Sequence, residues 1–219
     1  KPLLQAYLRL QDIDQQSDLK VVVDMALKRG QIEETLLMVT DHETAFAKYN
    51  HMKLVKFSFM NACKGGYFKV VQTFLNCVLF NDNDVADFMN ARHKSIGLTG
   101  FGLACMKENV DIVEYLLHHQ KSKELLENSH QLSSAFIGAS IGDSRKVLDM
   151  LLKLPNHKDF VNEKLHDGRT GFMHACLAGN LSAVQFLISF PSFNKNDIAA
   201  KSRNQSCVFF SPLNINIAT

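Results

Sequence analysis

Gly168–Ile188 reads G-R-T-G-F-M-H-A-C-L-A-G-N-L-S-A-V-Q-F-L-I, and Gly97–Leu117 reads G-L-T-G-F-G-L-A-C-M-K-E-N-V-D-I-V-E-Y-L-L. The two stretches align without gaps at an offset of 71 residues, two units of a repeat. Self-similarity at a period of about 20–50 residues decides an architecture before any local element does. Further copies fall into register on a small residue at Ala26, Ala62, Ala104, Gly138 and Ala175, with a partial sixth at Ser211. The spacings are 36, 42, 34, 37 and 36 residues.

The columns of this alignment have a physical logic. The small column is expected where two helices approach too closely for a longer side chain. Three residues before it stands Val23, Phe59, Phe101, Ala135, Phe172 or Val208, apolar in every copy. Gly30, Gly66, Gly142 and Gly179 follow the small column and suit a left-handed helix end. Glu108 replaces that glycine in the third copy, so Asn109 is expected to take the left-handed position there. A second apolar stripe then carries Val71, Val113, Val147 and Val184, with large apolar residues three and four positions on, which is helical spacing. Each unit is therefore expected to be two short antiparallel helices, too small to bury its apolar face alone, in an all-α solenoid.

Residues 168–188 resemble the ankyrin repeat pattern G-x-T-P-L-H-x-A-A-x-x-G-x-x-x-x-V-x-x-L-L, and 97–117 follow it almost as well. The likeness covers about residues 17–211. Its departures are Gly100 and Gly171 in place of the Pro after Thr, and Asp24, Met60, Gly102, Phe136, Met173 and Phe209 in place of the His. The missing Pro and His imply an array less stable than an idealised one, and Pro212 argues against a first helix in the last unit. A HEAT or armadillo solenoid is the alternative, but its units of about 40–47 residues exceed four of the five spacings. The resemblance implies helix-turn-helix units with short loops or hairpin tips: a capping helix at 1–16, then an array over 17–219 of five units and a partial sixth. The 42-residue spacing marks an insertion at 76–94.

Composition agrees with a packed protein. The 219 residues are 46% hydrophobic, with 24 Lys+Arg against 22 Asp+Glu, a formal +2. That excludes a bulk polycation and an acidic tail. No apolar run approaches the 18 or more residues that cross a bilayer. Lys1 stands where an initiator Met would, and no basic-then-apolar leader precedes the chain, so a cut or processed piece of a longer protein is expected. Five cysteines, none in a C-x-x-C spacing, make a disulfide framework or zinc site a poor reading. Cys63, Cys105 and Cys176 share one core column and read as small hydrophobes, pointing to a reducing, cytoplasmic setting.

Several motifs invite chemistry. G-A-S-I-G at 138–142 matches a serine-hydrolase elbow, which needs a strand before Ser140 and a helix after it. Here it falls on a helix end, so no catalytic residue is assigned. Asn81–Asp87 resembles a calcium loop but carries Asp87 and His93 where the Gly and the bidentate Glu belong, and reads as a solvated insertion loop. His118 and His119 are adjacent and point to different helix faces, and no phosphate-cradling glycine loop occurs. Asn204-Gln205-Ser206 is a formal glycosylation sequon without a leader. No metal or cofactor is expected.

The resemblance implies partner binding through loop tips and the concave face of the first helices. The positions so selected in five units carry 8 Lys+Arg and 2 Asp in a nearly neutral chain. The expected groove has a basic half from Lys28, Arg29, Lys53, Lys56 and Lys64, and an apolar centre from Ile96, Leu98 and Met106. Lys107, His166 and Arg169 complete it. Such a groove suits a protein or peptide of acidic character, bound without catalysis. Polyanion binding to phosphoinositide or nucleic acid is the alternative; nucleic acid is disfavoured because aromatic residues are not interleaved with the lysines. A regulatory arm of a larger protein is the other alternative.

Overall fold

The computed structural model describes residues 45–77, 80–122 and 129–190, and these are mostly helical, with no strand among them. The expected capping helix at 1–16, the expected first unit with Lys28 and Arg29, the expected partial sixth unit, Cys207 and the sequon lie outside the described residues. In chain order the helices are α1 (Ala45–Gly65), α2 (Phe68–Asn76), α3 (Asp82–Met89), α4 (Gly100–Met106) and α5 (Val110–His118). They continue as α6 (Ser129–Ile141), α7 (Arg145–Leu152), α8 (His157–Phe160), α9 (Gly171–Ala178) and α10 (Leu181–Ser189). Among the described residues no helix is long and apolar enough to cross a membrane.

Four hairpins recur: α1–α2, α4–α5, α6–α7 and α9–α10. Each turns on one residue in the left-handed region, Gly66 (φ 75°), Glu108 (φ 53°), Asp143 (φ 54°) or Gly179 (φ 72°). After each of these an amide N–H returns to a carbonyl five residues back. The bonds are Tyr67 to Ala62 (3.0 Å), Asn109 to Ala104 (3.1 Å), Ser144 to Ala139 (2.9 Å) and Asn180 to Ala175 (3.0 Å). This is the 6→1 bond of a Schellman helix end.

These bonds correct two readings. The left-handed residue of the third unit is Glu108 itself, while Asn109 has φ −76° and caps α5. In the fourth unit the turn falls on Asp143, not Gly142, so its columns move by one and its anchor is Ala139, not Gly138. Gly142 is not free to be anything larger, because a Cβ there would strike the Met106 carbonyl oxygen.

The first helices pack in order, α1 on α4, α4 on α6 and α6 on α9, and the second helices follow as α2, α5, α7 and α10. Close approach accounts for the two glycines where α4 faces α6. A Cβ on Gly102 would meet Ser134, and one on Gly138 would meet the Gly102 carbonyl. Between the two rows lies a continuous core from Val71, Phe74, Val113, Leu116, Leu148, Leu151, Val184 and Leu187. Each such side chain contributes about 1.5–3 kcal/mol of burial.

The segment expected as a solvated insertion loop is instead α3. Asn81 accepts from the Asp84 N–H (3.0 Å) while Asp84 accepts from the Asn81 N–H (3.1 Å), a reciprocal capping box. Val85, Phe88 and Met89 are buried, and Phe88 packs against Phe59 with ring centroids 4.7 Å apart. The acidic run is thus a helix start, and its carboxylates favour that end of the helix dipole.

The first helices also differ in length for a local reason. Thr99 accepts from the Gly102 N–H (3.3 Å) and Thr170 from the Met173 N–H (3.4 Å), capping the short helices α4 and α9. Gly97 (φ 78°) and Gly168 (φ 77°) stand two residues earlier and turn the chain into hairpin tips. The units at α1 and α6 lack this G-x-T start, so their helices run on upstream. Lys53 and Lys56, expected at a loop tip, therefore lie one helical turn apart on α1.

Candidate partner-binding cleft

Two clefts adjoin where the third-unit tip crosses the first helices. One, of about 640 Å³, lies between α1 and the segment that leaves α3, and Lys53, Lys56, Asp87, Arg92, His93 and Lys94 line it. The other, of about 510 Å³, shares Arg92, His93 and Lys94 and adds His130, Lys164 and His166. Together they gather five Lys and Arg against one acid, Asp87.

Arg92 and Lys56 are held by identifiable structure. Arg92 forms a bridge with Thr99, and its Nη1 donates to the Gly97 carbonyl (2.9 Å), so the guanidinium clamps its own tip. Its Nη2 is buried and has no hydrogen-bond acceptor. Lys56 Nζ pairs with Asp87 Oδ1 at 2.7 Å, joining α1 to α3. The pair is half-exposed, so it contributes no more than about 1 kcal/mol, and it leaves Lys56 within reach of a stronger anion. His166 lies directly against the third-unit tip, its Nδ1 2.6 Å from where a Gly97 Cβ would stand. Below, Gln131 Nε2 donates to the Met89 carbonyl (3.1 Å) and Asn90 Oδ1 (2.7 Å), fixing the floor to α6.

No protein-family model matches the chain, and no curated protein matches it. The ankyrin likeness therefore stands on the residues quoted above.

Of the expected groove residues within the described chain, the structure brings Lys53, Lys56 and His166 together. Lys64 and Lys107 are exposed at the ends of α1 and α4 and line neither cleft. Arg169 turns to Asp167 (Nη1 to Oδ2 3.6 Å), which neutralises it. The apolar centre is corrected. Leu98 is fully buried with Leu103, Ile137 and Leu165, and Ile96 and Met106 pack half-buried against them. The two tips fold across these side chains, so they form a small core beneath the cleft and offer no open anchor.

Arg92, His93, Lys94 and Lys164 were missed. Their signal was the basic run R-H-K at 92–94, five to seven residues before Thr99, and the single Lys164 six residues before Thr170. Taking 76–94 as an insertion removed the first run from the face on which it lies.

The other candidate chemistry is absorbed by the fold. Ser140 lies inside α6, buried, and donates to the Phe136 carbonyl (2.8 Å). Burial pushes the Cys63 and Cys105 thiols well up and the Cys176 thiol up to about 11, so all three stay protonated at neutral pH. His174 Nε2 lies 3.4 Å from Asp167 Oδ2 without hydrogen-bond geometry. Desolvation of the ring outweighs that carboxylate, which Arg169 shares, and holds His174 below the usual histidine value. Among the described residues no group of three or more His, Cys, Asp or Glu is placed to hold a metal ion.

Proposed function

We propose that the chain is an ankyrin-type array and that its basic cleft binds an acidic polypeptide segment without catalysis. The array reading is supported by the recurring helix pairs, the repeated left-handed turn and the two glycine-threonine hairpin tips. The binding reading rests on one observation above all: five cations from α1 and both tips converge on adjoining clefts in a chain of formal charge +2. Complementary charge of this kind fixes orientation and speeds association. Asp87 tempers the field on the α1 side, where single carboxylates of a partner would exchange with it for Lys56.

The test is fluorescence anisotropy of the full chain with a nonapeptide of aspartate that has a serine at its centre. Binding should weaken as salt rises, and neutralising Lys53 and Lys56 to Gln should reduce affinity by about tenfold. Absence of binding, or binding that both substitutions leave unchanged, would overturn the reading.

A further inference from the structure

Resting on that reading, we infer that the second cleft is a phosphate site, built to take a phosphorylated side chain on the acidic partner segment. The two clefts differ in what lines them. The α1 cleft contains Asp87, already paired with Lys56. The tip cleft is lined by Arg92, Lys94, Lys164, His93, His130 and His166, with no carboxylate among its lining residues. Among the described residues neither Lys94 nor Lys164 has an ion-pair partner.

A single carboxylate cannot balance three permanent cations in about 510 Å³, and a phosphate monoester brings close to two charges and three acceptor oxygens. The donors are of the right kinds. Arginine offers a planar fork, lysines offer mobile point charges, and each imidazole can present an N–H. Arg92 is held from one side by the Gly97 carbonyl, while its Nη2 has no acceptor. An anion that reaches the guanidinium would satisfy a donor that the fold leaves unpaired, a group otherwise costly to bury. The site also draws on two tips that are far apart in sequence, His93 to Gly97 and Lys164 to His166. The contact of His166 with Gly97 sets their separation. Through Arg92, His93 and Lys94 the phosphate pocket continues into the α1 cleft, so one segment can place a phosphoryl group here and its flanking acids there.

The experiment compares the serine-centred aspartate nonapeptide with its phosphoserine form, on wild type and on the Lys94→Gln, Lys164→Gln double variant. Both substituted lysines are exposed, and circular dichroism checks that the variant is folded. Phosphorylation should tighten binding to wild type by about tenfold, as expected of added charge-assisted hydrogen bonds, and in the variant the ratio of the two affinities should fall to near one, with the serine form itself weakened because Lys94 also lines the α1 cleft. Equal binding of both peptides, or a gain that survives in the variant, overturns the phosphate site and leaves the acidic-segment reading standing. Binding of the phosphopeptide alone, lost in the variant, supports the phosphate site and overturns that broader reading. Binding of neither overturns both. Capture on vesicles containing phosphatidylinositol bisphosphate, with no preference between the peptides, overturns the inference by assigning the site to a lipid headgroup.

Discussion

Asn109 and Asn180 hold successive units together through one side-chain amide each. Asn109 Nδ2 donates to the carbonyls of Cys63 (2.7 Å) and Lys64 (3.2 Å), and Asn180 Nδ2 to those of Ser140 (2.9 Å) and Ile141 (2.8 Å). Both amides thereby satisfy last-turn carbonyls that a helix cannot satisfy alone. Ser144 occupies the same place in the fourth unit with nearly the same backbone, φ −81° and ψ 75° against −78° and 77° at Asn180. Its hydroxyl is too short to reach back and is buried without a partner. We therefore expect Ser144→Asn to stabilise the fold by about 1 kcal/mol, through new bonds to the Cys105 and Met106 carbonyls, as read by urea denaturation. A loss of stability would show that the amide does not fit. The acidic left-handed residues make a second tie of this kind. Glu108 Oε1 accepts from the Lys146 N–H (3.3 Å) and Asp143 Oδ1 from the Ala183 N–H (2.7 Å), each at the start of the next unit's second helix. A glycine would relieve the backbone strain at those positions and lose the tie. Column logic alone, which looks for glycine, therefore misplaces the turn at both.

At the scale of elements, the length of each first helix follows from whether a G-x-T start precedes it. Gly97 and Gly168 have the same conformation but different surroundings, which separates their two roles. A Cβ at Gly168 would meet open space, and one at Gly97 would press on the His166 ring. Gly168→Ala should cost about 1–2 kcal/mol for the left-handed backbone, and Gly97→Ala about 1–3 kcal/mol more for the clash. Equal losses in chemical denaturation would mean that the tips do not depend on each other. The paired helices and their apolar stripes were legible because a 3.6-residue period survives in each unit. α3 was not, because its capping box sits in a run of Asn and Asp that equally suits a loop, and only the burial of Phe88 against Phe59 decides between them. The apolar centre was misjudged for a related reason. Leu98 and Leu165 face inward once the tips cross, a tertiary event that no local pattern records.

At the scale of the whole molecule, among the described residues, most contacts between helices join neighbouring helix pairs. Among the described residues, two side-chain ties that skip a unit converge on the cleft. Gln131 of the fourth unit holds the end of α3, and His166 of the fifth rests on the tip of the third. The cleft is thus a place where non-neighbouring units are tied, and a ligand held there would draw α1, the third-unit tip and the fifth-unit tip together. The basic residues of the site were only partly legible, since Lys53 and Lys56 are visible from helical register but Arg92 and Lys164 join them only through the crossing tips. The most direct test is hydrogen–deuterium exchange of the full chain with and without the phosphoserine-centred aspartate nonapeptide. Slowed exchange concentrated in residues 53–61, 90–99 and 163–170, with the second helices α2, α5, α7 and α10 unchanged, is the predicted result. Protection confined to those second helices, or none at saturating peptide, would contradict the account.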